Sequence, residues 1–199
     1  MPVSPHFPTD SAPTIEIRPA TGRFEDFATV VGPQQAGVRG CWCTAYRDSR
    51  VDVDERKDYM RRECSAEPGP GVLVYVDDVV AGWCSVAPRG TYRRLLRSRT
   101  IPTPPDESTW CAVCFVVRAG YRRHGLMHHL LAGAVAHARA NGAATIEGYP
   151  ADATGGSVDV ISGYVGTVAL FERAGFERAE PTTGRSGGRP RWVMRKDLR

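Results

Sequence analysis

The chain has 199 residues, of which 42% are hydrophobic and 24% charged, a balance that excludes a disordered chain and suits a globular one. The formal charge of +4 is too modest to imply nucleic acid. No apolar run approaches the roughly 20 residues that cross a bilayer. The first residues, Met1-Pro-Val-Ser-Pro-His-Phe-Pro8, lack the basic and apolar blocks of a secretion signal, so a cytoplasmic location is expected. Lysine occurs only at Lys57 and Lys196; the remaining basic residues are arginines, which suit bidentate phosphate contacts.

In chain order, residues 1–13 are proline-rich and read as a flexible tail. Residues 14–199 read as one domain, since no repeat or linker interrupts them. Thr14-Ile-Glu-Ile-Arg-Pro19 alternates like a strand. Arg23 to Val31 and Asp54 to Glu63 suit short helices. Pro68-Gly-Pro-Gly71 marks a turn. The apolar runs Gly71–Val76 and Val79–Val86 flank Asp77-Asp78, a two-residue hairpin signal. Arg89 to Arg99 is basic, and Pro102-Thr-Pro-Pro105 is a stiff loop. Trp110 to Val117 is a buried strand, followed by a helix from Arg123 to Ala140 that stops at Asn141-Gly142. Thr145–Tyr149 is a further strand. A glycine-rich loop through Gly155-Gly156 leads to a short helix, Gly166 to Ala174, and Arg191–Lys196 closes as a strand.

Six cysteines, at 41, 43, 64, 84, 111 and 114, are expected to stay reduced in a cytosolic chain. Cys111-Ala-Val-Cys114 has half a zinc site's spacing. In a strand, however, residues three apart point to opposite faces, and no second pair follows. No metal is expected. His128 and His129 are adjacent, so they diverge on a helix and read as surface residues.

The junction Val116-Val-Arg-Ala-Gly-Tyr-Arg-Arg-His-Gly-Leu-Met127 carries the most chemistry. Unpaired N–H groups at a helix start, the helix dipole and the side chains of Arg122 and Arg123 together form a cradle for an anion such as a phosphate. Gly125 removes a Cβ from the approach. In the helix that follows, Leu126, Leu130, Leu131, Ala134, Val135 and Ala138 recur at helical spacing and predict one buried stripe.

Arg122-Arg-His-Gly-Leu-Met127 and the later Leu170-Phe-Glu-Arg-Ala-Gly-Phe176 resemble the two signatures of the GCN5-related N-acetyltransferase (GNAT) family. The likeness runs in element order from about Thr14 to Lys196. It implies a mixed α/β (α+β) fold: a largely antiparallel central sheet with a splayed strand pair and helices on both faces. It also implies acetyl-CoA as cosubstrate. Phe115, Val116 and Val117 would offer backbone groups to the pantetheine arm. Arg122, Arg123, His124, Gly125, Leu126 and Met127 would hold the pyrophosphate. No Gly-Lys-Ser/Thr follows the glycine, which argues against a phosphate-loop NTPase.

Departures from the family pattern bear on catalysis. Met127 stands where a small residue is usual. Phe171 replaces the tyrosine that in many relatives protonates the departing thiolate; a phenyl ring can only pack against the pantetheine arm. Cys111 occupies the position of the strand carboxylate that serves some relatives as base. The remaining candidates are Glu147, whose basicity burial could tune, and Tyr164, the nearest phenol. Tyr149 shares a strand face with Glu147. Asp152 and Asp159 are loop acids with a weaker claim, and could attract a cationic substrate. Trp42 and Tyr46 could line an acceptor pocket. The five arginines of Arg89–Arg99 read as a mobile solvated loop over the substrate mouth. The expected partners are acetyl-CoA and an amine acceptor, a small molecule or a protein lysine, with no membrane; a homodimer is admissible. Two alternatives are a non-catalytic acyl-CoA-binding regulatory module and a basic nucleic-acid-binding protein.

Overall fold

The computed structural model describes residues 12–33, 41–102, 108–154 and 164–199. Most of the expected tail lies outside them, as do Asp159 and the Gly155-Gly156 loop. Seven strands form one sheet in the order β1-β2-β3-β4-β5-β7-β6. These are β1 (Ile15–Pro19), β2 (Gly71–Val76), β3 (Val79–Pro88), β4 (Thr109–Val117), β5 (Thr145–Gly148), β6 (Glu177–Ser186) and β7 (Arg189–Asp197). Every pairing is antiparallel except β4 with β5. The helices are α1 (Phe24–Val31), α2 (Arg56–Ser65), α3 (Arg93–Leu96), α4 (Leu126–Ala140) and α5 (Val168–Arg173). None is long and apolar enough to cross a membrane.

The core lies on both faces of the sheet. On one side α4 lays Leu126, Leu130, Leu131, Ala134, Val135 and Ala138 against the strands, the six positions the periodicity marks. On the other, Phe27, Met60, Trp83, Tyr92 and Tyr149 form a second cluster beneath α1, α2 and α3. Close approach is bought by glycine: a Cβ on Gly133 would stand 2.4 Å from the Ile17 side chain. Asp77 and Asp78 both take positive φ, 47° and 63°, which turns β2 into β3 in two residues with the twist of the strands.

Two expectations give way, and one strand, β6, is unforeseen. The helix after β4 starts at Leu126 rather than Arg123, because Arg123 (φ 66°) and Gly125 (φ 74°) sit in the left-handed region, which a helix cannot incorporate. β6 carries no alternating apolar signal; it is an exposed edge strand containing Pro181 and held by β7. Arg89–Arg99 is not wholly a solvated loop, although Arg93, Arg94, Arg97 and Arg99 are exposed. A 3₁₀ turn over Arg89–Thr91 runs into α3, and the spacing of Arg89, Tyr92 and Leu95 puts all three on one side, where they are buried.

Candidate active site

The sheet opens at one place. Ser85 pairs with Cys114 and Val86 with Ala112, so Val113 is an extra residue that bends β4. At the same level β5 leaves β4: their last rung is Ala112–Gly148. Beyond it the Phe115 amide donates to the carbonyl of Tyr164 at 2.7 Å. The strand ends are thus splayed, and the Phe115 amide is already taken there, so it is not free to pair with a pantetheine arm as the family likeness implies.

The junction after β4 is tied down from behind. The Arg118 amide donates to the Ala81 carbonyl, and its guanidinium to Val80 at 2.6 Å. Arg122 Nε donates to the Val117 carbonyl at 3.0 Å while the rest of its side chain stays exposed. Gly125 caps α4 with no side-chain cap bond, so no capping side chain takes the first amides of the helix, although the His128 amide donates to the Gly125 carbonyl at 2.9 Å. A Cβ on Gly125 would meet nothing within 4 Å; the glycine is there for its positive φ, and the space beside it is open.

These residues form one wall of a groove of about 340 Å³. Val117, Tyr121, Arg122, Arg123, Gly125, Leu126, Met127 and His128 line it on the α4 side, and Gly166, Thr167, Ala169, Leu170 and Arg173 on the α5 side. Three guanidiniums and a helix N-terminus meet there with no carboxylate in the lining. That composition suits a phosphate-bearing ligand with an apolar arm.

Of the residues singled out in the sequence, Val117, Arg122, Arg123, Gly125, Leu126 and Met127 come together in this wall. His124 stands exposed on the loop, outside the lining. Phe115 and Val116 lie deeper on β4. The Phe115 side chain is buried toward Phe171, and Val116 packs on the opposite face. Phe171 does not reach the groove: it is fully buried between Phe115, Phe176 and Gly148, whose missing Cβ would stand 2.1 Å from the ring. The apolar packing that claims this ring is the core's own. Tyr164 is 38% exposed, and its backbone is held beside the split strand by the Phe115 amide.

Glu147 is also placed differently from a solvent-facing base. It is fully buried, with Oε1 accepting from Arg195 Nε and Nη2 at 2.9 and 2.8 Å and Oε2 accepting from the Tyr149 hydroxyl at 2.9 Å. The Tyr149 hydroxyl in turn accepts from Arg89 at 2.7 Å and lies 3.2 Å from Cys111 Sγ. Burial pushes the Cys111 thiol up to about 12 and the Tyr149 phenol well above its usual range, so both stay protonated at neutral pH. The parallel register pairs Cys111 with Glu147, so a carboxylate sits one strand over from the position that lacks it.

Sequence reasoning missed Arg89, Arg191 and Arg195, which organise this buried row, and Thr167 and Arg173, which complete the groove. Thr167 had a signal: its hydroxyl accepts from the Leu170 amide as the cap of α5, and Gly166 precedes it with positive φ. The arginines had none, because their partners come from distant strands.

Residues 39–176 match the model of the Acetyltransferase (GNAT) family, and the chain belongs to that family. Solved structures share the fold at low identity. An N-acetyltransferase from Staphylococcus aureus Mu50 is 16% identical, with a TM-score of 0.57 over 94% of this chain and 99% of that one. A ribosomal-protein-alanine N-acetyltransferase from Brucella melitensis is 18% identical, with a TM-score of 0.56 over 92% and 99%. The yncA protein of Salmonella typhimurium, solved with its cofactor acetyl-CoA, is 18% identical, with a TM-score of 0.53 over 95% of each chain. A search of curated proteins gave no match.

Proposed function

We propose that the protein is an acetyl-CoA-dependent N-acetyltransferase that acylates a primary amine, of a small molecule or a protein lysine, in the cytoplasm. The observation that carries this reading is the groove between the end of β4, the start of α4 and α5, with Arg122, Arg123 and Arg173 around a helix start that has no side-chain cap. Those cations and the amides of the first turn would hold the diphosphate, and Val117 and Leu170 would pack against the arm. Bound acetyl-CoA supplies an acyl group already activated as a thioester.

The chain's own contribution is positioning and proton handling. The attacking amine must be neutral, and its proton passes to water in the open end of the split. Tyr164 would protonate the departing thiolate; what supports this is that its backbone carbonyl is held by the Phe115 amide on β4, two residues before the groove-lining Gly166. Glu147 acts as a positioning residue: with both oxygens engaged it holds Tyr149 and Arg195 rather than taking a proton itself.

Thermal stabilisation by acetyl-CoA tests the reading, since a ligand that binds the folded chain raises its midpoint with excess over Kd. The native chain is expected to shift and Arg122→Glu to shift far less; equal shifts would sink the cradle assignment. Turnover with a panel of amines then separates an enzyme from a binding module. The buried Phe171 and sealed Glu147 favour the module if stabilisation comes without turnover.

A further inference from the structure

A second cavity, also of about 340 Å³, lies between the stretch Asp48–Arg50 and the connector Arg93–Thr100. Its lining contains Arg50, Arg93, Arg94, Arg97 and Arg99 against a single carboxylate, Asp48. Asp48 is fully used: Oδ1 accepts from the amide and Nε of Arg50, and Oδ2 from Arg93 at 2.8 Å. Arg94 is anchored on the Ala45 carbonyl and over the Tyr46 ring. Arg97 and Arg99 have no carboxylate partner among the described residues.

This is a concavity held in place, and an ordinary solvated arginine surface would lack its anchoring. The Arg93 and Arg94 amides donate to the carbonyls of Arg47 and Tyr46 at 3.0 and 3.1 Å, and Tyr92 and Leu95 root the segment in the core. Arg93 and Arg97 stand four apart in the chain, where like charges repel. Five guanidiniums gathered around one counter-charge leave a positive field that a bound anion relieves. The cavity is also wired to the split strands. The Tyr46 hydroxyl accepts from Arg191 at 3.0 Å, and Arg191 grips the carbonyl of Tyr149, one residue beyond the last β4–β5 rung.

We infer that this arginine-lined cavity seats a carboxylate or phosphate group carried by the amine acceptor, so that the substrate is a small anionic amine. The inference rests on the acetyl-transfer reading, and the confinement of the arginines to one cavity of about 340 Å³ favours a small group over a polynucleotide backbone, which needs an extended track.

Inorganic phosphate at constant ionic strength is the first probe. It is expected to raise the thermal midpoint of the native chain and of Arg122→Glu, but not of the double variant Arg97→Glu/Arg99→Glu. Loss of the shift in Arg122→Glu with retention in the double variant would place the phosphate in the α4 groove and overturn the inference. So would the absence of any shift in the native chain. The second arm compares kcat/KM for a carboxylate-bearing amine and for the same amine without its carboxylate. The native chain should prefer the first by about 10-fold or more, the worth of one charge-assisted pair, and the double variant should lose that preference while acetyl-CoA still stabilises it. If acetyl-CoA stabilises neither protein, the acetyl-transfer reading fails, whereas the phosphate arm still reports on the cavity. A single-stranded oligonucleotide that displaces phosphate and binds with a steep salt dependence would overturn the inference in favour of nucleic acid.

Discussion

Glu147 and Arg195 face each other across one rung of the β5–β7 ladder, with Tyr149 completing the carboxylate's partners. Replacing Glu147 by Gln keeps an acceptor for Tyr149 but leaves Arg195 only its longer pair with Glu180 at 3.5 Å. Arg195 is partly open to water, which softens the loss to about 1–3 kcal/mol, read as a lower midpoint in urea. If kcat falls while stability does not, Glu147 is a base and the positioning role is wrong. Tyr164→Phe is the contrasting case: kcat is expected to drop by about 10²-fold with the KM for acetyl-CoA nearly unchanged. Gly148→Ala probes packing instead. Its Cβ would press 2.1 Å from the Phe171 ring, so overpacking of about 1–3 kcal/mol is expected, relieved by adding Phe171→Leu. None of these three environments was legible beforehand, because each is made by strands that meet only after folding.

At the scale of elements, the junction between β4 and α4 was the most readable part of the chain. An apolar run, two arginines, a glycine and a helical stripe are local features, and local features survive into the fold. Gly125 is the element's hinge: Gly125→Val is expected to cost about 1–2 kcal/mol, because a β-branched residue resists its φ of 74°. The same variant should weaken stabilisation by acetyl-CoA, since the first amides of α4 would be re-aimed. Measuring both separates strain from binding. β6 shows the opposite limit. Its residues satisfy no strand pattern, and the strand exists because β7 offers a ladder and solvent tolerates the polar face. The arginine segment after β3 misleads for a related reason: five charges mask the spacing of Arg89, Tyr92 and Leu95 that buries it.

Across the whole molecule, burial of thiols sets an alkaline limit. Burial raises Cys64 and Cys111 to about 12 and drives Cys84 well above its ordinary value. A group whose folded pKa lies above its unfolded one stabilises the fold fully below the unfolded value, and that contribution drains as pH rises toward the folded one. The thermal midpoint is therefore expected to hold up to about pH 8.5, where free thiols begin to ionise, and to fall between there and about 12. A Cys111→Val variant should soften the decline; an unchanged slope would assign the loss to other groups.

Most of the strands and helices, the buried stripe of α4, the Asp77-Asp78 turn and the cluster of arginines beside a helix start were written in the chain itself, because each depends on residues a few positions apart. The family followed from two such local motifs. The split between β4 and β5, the sealing of Glu147 by Arg195, the withdrawal of Phe171 into the core and the arginine-lined cavity were decided by tertiary structure alone. Each depends on register and on contacts between segments tens of residues apart, and hydrophobic periodicity carries no record of which strand will lie beside which.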